Sequence, residues 1–448
     1  MSGPTITADI VWVKRGISKS IPEKVKLTAD EIRHLIQCES NFGSFCDFDL
    51  ADEAESDTEM GEKHFNEMLF SFHFFQTYKS KLWCFSFRRV TMTGIAMYAS
   101  PLDDPYITNP IDSDAEDKED FEIKPDDNLV AVAKINKDEY TLEVYIYNEN
   151  DKDWYVHHDY ILDAPPLCLE HLTYDPGEQN HKGSFIAVGT MKPVINIWDL
   201  DVVNAVEPAL SLGASSGRRR RRDGSTQAHS DAVLSISWNS NSDHVLASGS
   251  ADESVVLWDL DDAKAATIFP NCDGKVQAVN WHPGEISVLL YGTISGNIAL
   301  RDCRQGTSAL PRHWKVDGEV EQLLWDHFNP FYFYAVTNTG ELYYCDSRST
   351  SPSYTVNCHE GGIHGVSQSY SVNGLICTCG ADEMLKVWKG SPSGLQMVHS
   401  QKLNFGELQC VKFSPDSGPV VAVGGSKEEL VKVISLDSFE AVKTTFSP

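Results

Sequence analysis

The sequence predicts an all-β fold, a seven-bladed propeller of small antiparallel sheets, and three observations carry that expectation. First, a strand ending in a bulky residue, often followed by Asp, recurs as Ile197-Trp198-Asp199, Leu257-Trp258-Asp259, Leu300-Arg301-Asp302, Tyr344-Cys345-Asp346 and Val387-Trp388-Lys389. Second, from Trp258 onward these ends are spaced 43, 44 and 43 residues apart, the period of one WD-repeat blade. Third, Val233–Trp238, Val276–Trp281 and Val320–Trp325 are three copies of one alternating strand, their tryptophans again 43 and 44 residues apart.

The elements follow in chain order. Ile6-Thr7-Ala8-Asp9-Ile10-Val11-Trp12-Val13 has the form of an inner strand, so residues 1–14 are expected to supply the inner strand of the first blade. The remainder of that blade starts only near Leu129, which makes 15–128 an insertion and 129–446 the rest of the ring. Degenerate strand ends at Val144–Asn148 and Val431–Ser435 flank the clear ones. The blades then end near Tyr147, Trp198, Trp258, Arg301, Cys345, Trp388 and Ile434. Seven blades at roughly 43 residues take about 300. The insertion and a basic loop at 213–226 absorb nearly all the others.

Within the insertion, Asp47–Glu62 and Asp103–Asp127 are rich in carboxylates and poor in apolar residues, so the segment is expected to be mostly disordered and solvated. Pro22–Gln37 reads as a short helix, capped by Thr28 with Glu31 three residues later. Phe65–Val90 breaks the pattern with seven Phe, one Trp and one Tyr. It reads either as a partner-binding amphipathic segment or as a misread stretch of the gene. The second is favoured, because an exposed aromatic run of this size invites aggregation.

Composition excludes several classes of function. With 41% hydrophobic and 23% charged residues in 448, the chain can bury a sizeable core. Its 37 Lys and Arg against 65 Asp and Glu give a net charge of -28, so it does not coat nucleic acid or anionic membrane through its overall field. Met68–Phe87, the most apolar stretch, is interrupted by His73, Gln76, Lys79 and Lys81 and does not read as a membrane span. The first residues carry no secretory signal, which points to an intracellular protein. The 11 cysteines, mostly in strand-like runs such as Ile376-Cys377-Thr378-Cys379, then read as small buried hydrophobes.

Two polar constellations share one spacing. His229, Ser248 and Asp252 stand 29, 10 and 6 residues before Trp258, and His359, Thr378 and Asp382 stand at the same offsets before Trp388. Ser, His and Asp together suggest a hydrolytic triad. The duplicated offsets instead follow blade geometry, and the hydroxyl is placed to receive the indole proton, so the expected role is a structural relay from indole to hydroxyl to imidazole to carboxylate. His157-His158-Asp159 has no third ligand nearby and does not read as a metal site. Nothing resembles a phosphate-binding glycine loop or a zinc motif. The sequence therefore predicts no enzyme, no cofactor and no small-molecule substrate.

Other motifs point to partners. Arg218, Arg219, Arg220, Arg221 and Arg222 form a block flanked by Gly and Ser, suited to an importin or to RNA phosphates. No aromatic residue interleaves with them, so base stacking is not indicated. Ser56 and Ser113 precede carboxylates and are candidate phosphorylation sites. Asp302-Cys303-Arg304 and Asp346-Ser347-Arg348 follow strand ends, a placement that resembles the element docking some propellers onto cullin ubiquitin ligases through arginines such as Arg304 and Arg348.

The runs Phe121–Leu129, Tyr155-Val156-His157-His158-Asp159 and Ile186–Met191, continuing through Pro193–Asp201, resemble the periodic tryptophan protein 1 family, as does Val11-Trp12-Val13-Lys14-Arg15-Gly16. That resemblance spans the N-terminal strand and Phe121–Ser435. It implies a WD-repeat scaffold of the nucleus and nucleolus in ribosome biogenesis, with pre-ribosomal proteins, pre-rRNA and histones as partners. The aromatic stretch Phe65–Val90 departs from the family's acidic insertion. A cullin-type substrate receptor is the alternative reading.

Overall fold

A computed structural model describes residues 5–24, 121–137, 139–175, 182–213, 228–305, 310–427 and 431–446. These residues form a seven-bladed β-propeller in which each blade is an antiparallel meander running from the ring axis outward. Blade 1 consists of Thr5–Val13, Asn128–Asn136, Glu139–Asn148 and Asp153–Ile161, in that order from the axis. Trp12 pairs with Val130 and Ile10 with Val132, so the N-terminal strand is the innermost of its blade. The inner strands of blades 2 to 7 are Pro166–Tyr174, Val233–Trp238, Val276–Trp281, Val320–Trp325, Ile363–Gln368 and Leu408–Phe413. Blades 1 to 6 have four strands each. Blade 7 has three among the described residues, Leu408–Phe413, Val420–Gly425 and Val431–Ser435.

The core is divided among the blade interfaces. Seven clusters of buried side chains fill the seven gaps, from Leu142, Ile146 and Ile186 between blades 1 and 2 to Ile10, Trp12 and Val420 between blades 1 and 7. No single centre holds the ring; each sheet is stabilised by its two neighbours, and apolar burial is about 25 cal/mol per Å² at every face. Every inner strand also carries a register shift near its start, between Val233 and Ser235, Val276 and Ala278, Val320 and Gln322, and correspondingly elsewhere. Such bulges increase the local twist that fans the sheets around an axis.

Small residues opposite these bulges let neighbouring blades approach. A Cβ on Gly249 would lie 2.5 Å from Val276 Cγ1 of the next blade, and one on Gly292 would lie 2.5 Å from Val320 Cγ1.

The inner edge of a blade has no fifth strand to bond, so its amides need other partners. Side chains of the adjacent blade supply them. Leu169 N donates to Asp9 Oδ2 (3.0 Å), Trp238 N to Glu170 Oε1 (2.9 Å) and Val279 N to Ser235 Oγ (3.1 Å). Asn280 Nδ2 donates to Leu323 O (3.3 Å), Val366 N to Gln322 Oε1 (2.8 Å) and Phe413 N to Ser367 Oγ (3.0 Å). Trp12 Nε1, donating to Lys412 O at 3.0 Å, completes the circuit between blades 7 and 1. Burial pushes the Glu170 carboxyl up to about 7, against the opposing pull of the Trp238 amide and Lys412.

The chain does not leave the ring at Arg15. Residues 15–24 continue along the rim, and Glu23–Lys24 pair in parallel with Val202–Val203 of blade 2 rather than opening a helix. The sequence missed this because two residues carry no strand periodicity. The remainder of Pro22–Gln37, Phe65–Val90, Ser56 and Ser113 lie outside the described residues. The eight described cysteines are all free, and seven of them are buried.

Gly249→Ala is expected to lower the urea midpoint by an amount equivalent to about 1–3 kcal/mol, because the added methyl overpacks a blade interface. Gly284→Ala, whose nearest neighbour atom would be 3.8 Å away, should leave the midpoint nearly unchanged.

Candidate functional site

Because strands alternate in direction, the links between first and second and between third and fourth strands share one rim. The links between second and third strands, and those between blades, share the other. The insertion joins the first two strands of blade 1 and belongs to the first rim. Loop 213–227 joins blades 2 and 3 and belongs to the second. The acidic insertion and the basic loop therefore start from opposite rims. Arg218, Arg219, Arg220, Arg221 and Arg222 themselves lie outside the described residues.

On the second rim the structure brings both polar sets together. Trp258 Nε1 donates to Ser248 Oγ (2.7 Å), Ser248 Oγ lies 2.7 Å from His229 Nε2, and His229 Nδ1 lies 3.2 Å from Asp252 Oδ2. In blade 6, Trp388 Nε1 donates to Thr378 Oγ1 (2.8 Å), which lies 2.7 Å from His359 Nε2, and His359 Nδ1 lies 2.7 Å from Asp382 Oδ1. With the hydroxyl donating to Nε2 and Nδ1–H donating to the carboxylate, each donor has an acceptor. Burial raises the Asp252 carboxyl, but bonds from His229, Ser254 and the Ser230 amide outweigh it and hold it well below the usual range. Both imidazoles have 0% side-chain exposure, so no substrate can reach them.

Blades 4 and 5 lack the relay. They close the same turn with hydroxyl pairs, Thr293 with Ser295 and Thr337 with Thr339, each at 2.8 Å.

On the first rim the insertion has a pinned neck. On the outgoing side, Lys19 N donates to Asp201 Oδ1 (2.8 Å) and Glu23 N to Asp201 O (2.7 Å). On the return, Ile123 N donates to Ser20 O (2.8 Å), and the Lys24 ammonium sits 3.7 Å over the Phe121 ring. His157 and His158 brace this crossing. His157 Nε2 lies 3.2 Å from Phe121 O, His157 Nδ1 2.6 Å from His158 Nδ1, and His158 Nε2 3.0 Å from the Tyr160 hydroxyl. Tyr160 in turn donates to Asp199 O (2.8 Å) in blade 2. Sequence reasoning missed this role, although the Tyr-Val-His-His-Asp run was its visible sign.

The same rim carries most of the exposed large apolar side chains among the described residues. Ile286, Leu310, Phe331 and Tyr370 are all more than half exposed there, on loops of blades 4 to 6. Hydrogen bonds between neighbouring blades hold these loops in place: Asn239 Nδ2 donates to Ile286 O (2.7 Å), Gln368 Nε2 to Asp326 Oδ1 (3.0 Å) and Ser369 Oγ to Gly418 O (2.9 Å). Arg304 and Arg348 also lie on this rim, each folded back onto its own aspartate. Arg304 donates to both oxygens of Asp302 (3.0 and 2.9 Å). Arg348 does the same to Asp346 (2.9 and 2.8 Å) and lies 4.5 Å over the Phe331 ring. Among the described residues, no group of three or more His, Cys, Asp or Glu is placed to hold a metal ion, and no helix is long and apolar enough to cross a membrane.

Asp252→Asn should lower unfolding stability by about 1–3 kcal/mol, since it leaves a buried imidazole with a poorer acceptor; calorimetric melting at pH 7.5 reads this directly. Acid should weaken the whole ring. Burial holds the imidazoles of His157, His327 and His359 below their ordinary value, His158 down to about 3 and His171 down to about 4. The unfolded chain then binds protons that the folded one refuses, so stability present above about pH 6.5 is lost as pH falls through that value. Glu170, raised to about 7, acts in the opposite sense, as do Asp199, Asp201 and Glu321, whose carboxyls burial also raises; the five histidines outnumber these four. The Tm is expected to be lower at pH 5.0 than at pH 7.5.

Comparison with known proteins agrees with this architecture. The family described as "WD domain, G-beta repeat" matches residues 222–259 and 350–389, the two segments that carry the relays. The periodic tryptophan protein 1 homolog of Drosophila melanogaster is 32% identical, over 98% of this chain and 95% of that protein. Periodic tryptophan protein 1 of Saccharomyces cerevisiae is 29% identical, over 77% of this chain and 69% of its own length. Among solved structures, a chain in the crystal structure of the mitotic checkpoint complex matches with a TM-score of 0.53 at 18% identity, covering 68% of this chain and 83% of that chain, a likeness of fold alone. Nearly end-to-end similarity to the fly protein, on a ring of seven WD-type blades, places this chain in the periodic tryptophan protein 1 family.

Proposed function

We propose that this protein is a non-catalytic scaffold in ribosome biogenesis, working in the nucleus and nucleolus. It holds pre-ribosomal proteins on rigid rims, and it contacts pre-rRNA and histones in large-subunit precursor assembly and at ribosomal DNA chromatin. The observation that carries this reading is the family membership, spread over 98% of the chain. Geometry supports the scaffolding half. The rim loops are cross-linked between blades and present apolar side chains with adjacent arginines, a composition suited to protein interfaces. The hydroxyl and imidazole of the Ser-His-Asp set, by contrast, are buried beneath the surface.

Segments of opposite charge leave the ring from opposite rims and divide the labour. The block Arg218–Arg222 serves an importin or the phosphates of RNA, and the acidic insertion faces basic partners such as ribosomal proteins and histone tails.

The test is affinity purification from nuclear extract, with and without nuclease, of the wild type and of a variant with all five arginines changed to Gln. Wild type should bring down large-subunit precursor proteins in both conditions, and the variant should lose nuclear accumulation. Absence of both ribosomal precursors and histones from the wild-type material would overturn the assignment.

A further inference from the structure

Blade 7 is built differently from the other six. Its outermost described strand, Val431–Ser435, pairs on one side with Val420–Gly425, and among the described residues no strand bonds its other edge. After Ser435 the chain turns away. The helix α1, Glu440–Phe446, lies against the fourth strand of blade 6, Gly394–Lys402, with Val442 buried and Phe439 stacked 4.1 Å from His399. Among the described residues, none takes the place of a fourth strand beside it.

What a fourth strand does elsewhere defines what is lacking here. In blades 3 and 4 it buries Phe269 and Trp314, 1% and 2% exposed, against the next blade. The corresponding surface between blades 7 and 1 consists of Val431 and Val433 on the edge strand, Tyr145, Tyr147 and Trp154 on blade 1, and Val156, which is 45% exposed. Tyr145 and Trp154 stack at 4.5 Å, forming a flat aromatic floor. The exposed Lys432 alternates with Val431 and Val433 and points to the other side of the sheet.

We infer that this edge is a docking site for an extended segment of a partner protein, which adds as the fourth strand of blade 7. The row of backbone donors and acceptors calls for an extended peptide, because only another main chain matches its spacing. The floor calls for bulky apolar residues at alternate positions, and Lys432 calls for acidic residues at those between. The inference deepens the scaffold reading and rests on it for its biological meaning. Failure of strand addition with retained precursor association would sink this inference alone.

The test uses the full chain and a synthetic eight-residue peptide alternating Glu with Phe and Val, read by fluorescence anisotropy and by hydrogen exchange at Val431–Ser435. The peptide is expected to bind and to slow exchange at those amides at least tenfold. The same peptide with alternate amides N-methylated should bind at least tenfold more weakly. Val156→Asp, at an exposed position, should weaken binding at least tenfold without changing the Tm, while Met191→Asp, in the link between the second and third strands of blade 2, should leave it unchanged. Lack of binding, or equal binding of the N-methylated peptide, would overturn the inference. So would edge amides already protected in the free chain, whether in a monomer, where the chain fills its own edge, or in a dimer, where a second copy does.

Discussion

A propeller sheet has an inner edge that no further strand can cover, and the hydrogen bonds that satisfy it hold this molecule together. In most sheets an unpaired edge is left to solvent or blunted by charge. Here each blade is joined to the next by a side chain bonding across the gap, Asp9 to Leu169, Glu170 to Trp238, Ser235 to Val279 and onward to Trp12 and Lys412. The bonds add a directional constraint on the angular position of each sheet to the close packing of the blade faces. They also explain why the inner strands tolerate polar residues at positions that a simple alternation would reserve for the core. Glu170 illustrates the cost, because its burial favours the neutral acid while the amide and Lys412 favour the charged one.

The rims inherit this rigidity in different ways. On one, relays beneath the surface in blades 3 and 6 tie a loop between blades to a hairpin turn, and hydroxyl pairs in blades 4 and 5 secure the same turn more locally. On the other, bonds run from loop to loop around the circumference. A surface ordered before its partner arrives loses less conformational entropy on binding, which is a reason for a scaffold to be a ring of this kind.

How much of this the sequence disclosed depended on whether the signal was periodic. The strand ends at Trp258, Arg301, Cys345 and Trp388 repeat at nearly constant intervals, and the relay repeats at fixed offsets within that interval, so both can be read along a single chain. The N-terminal strand was visible through its alternation and the tryptophan at position 12. Features made by pairs of residues with no repeat were hidden. His157 meets the carbonyl of Phe121 only because a long insertion returns to the same spot, and Glu23–Lys24 becomes a strand only because Val202–Val203 lies beside it. Nor does composition announce that blade 7 has three strands among the described residues, since Val431–Ser435 reads like any other third strand. For Arg304 and Arg348 the sequence showed the spacing but not that each guanidinium fork closes on the carboxylate two residues before it.

The crossing held by Ser20, Phe121 and the two histidines has a consequence for the chain's history and for its engineering. Both feet of the excursion are fastened to blades 1 and 2, so the ends that any sequence between them must join are set by the ring itself. Lengthening it adds only a slowly growing loop-closure cost, about 0.6 kcal/mol for each doubling. The junction thus acts as a cassette port, where foreign sequence can be exchanged while the barrel of sheets beneath it keeps its register.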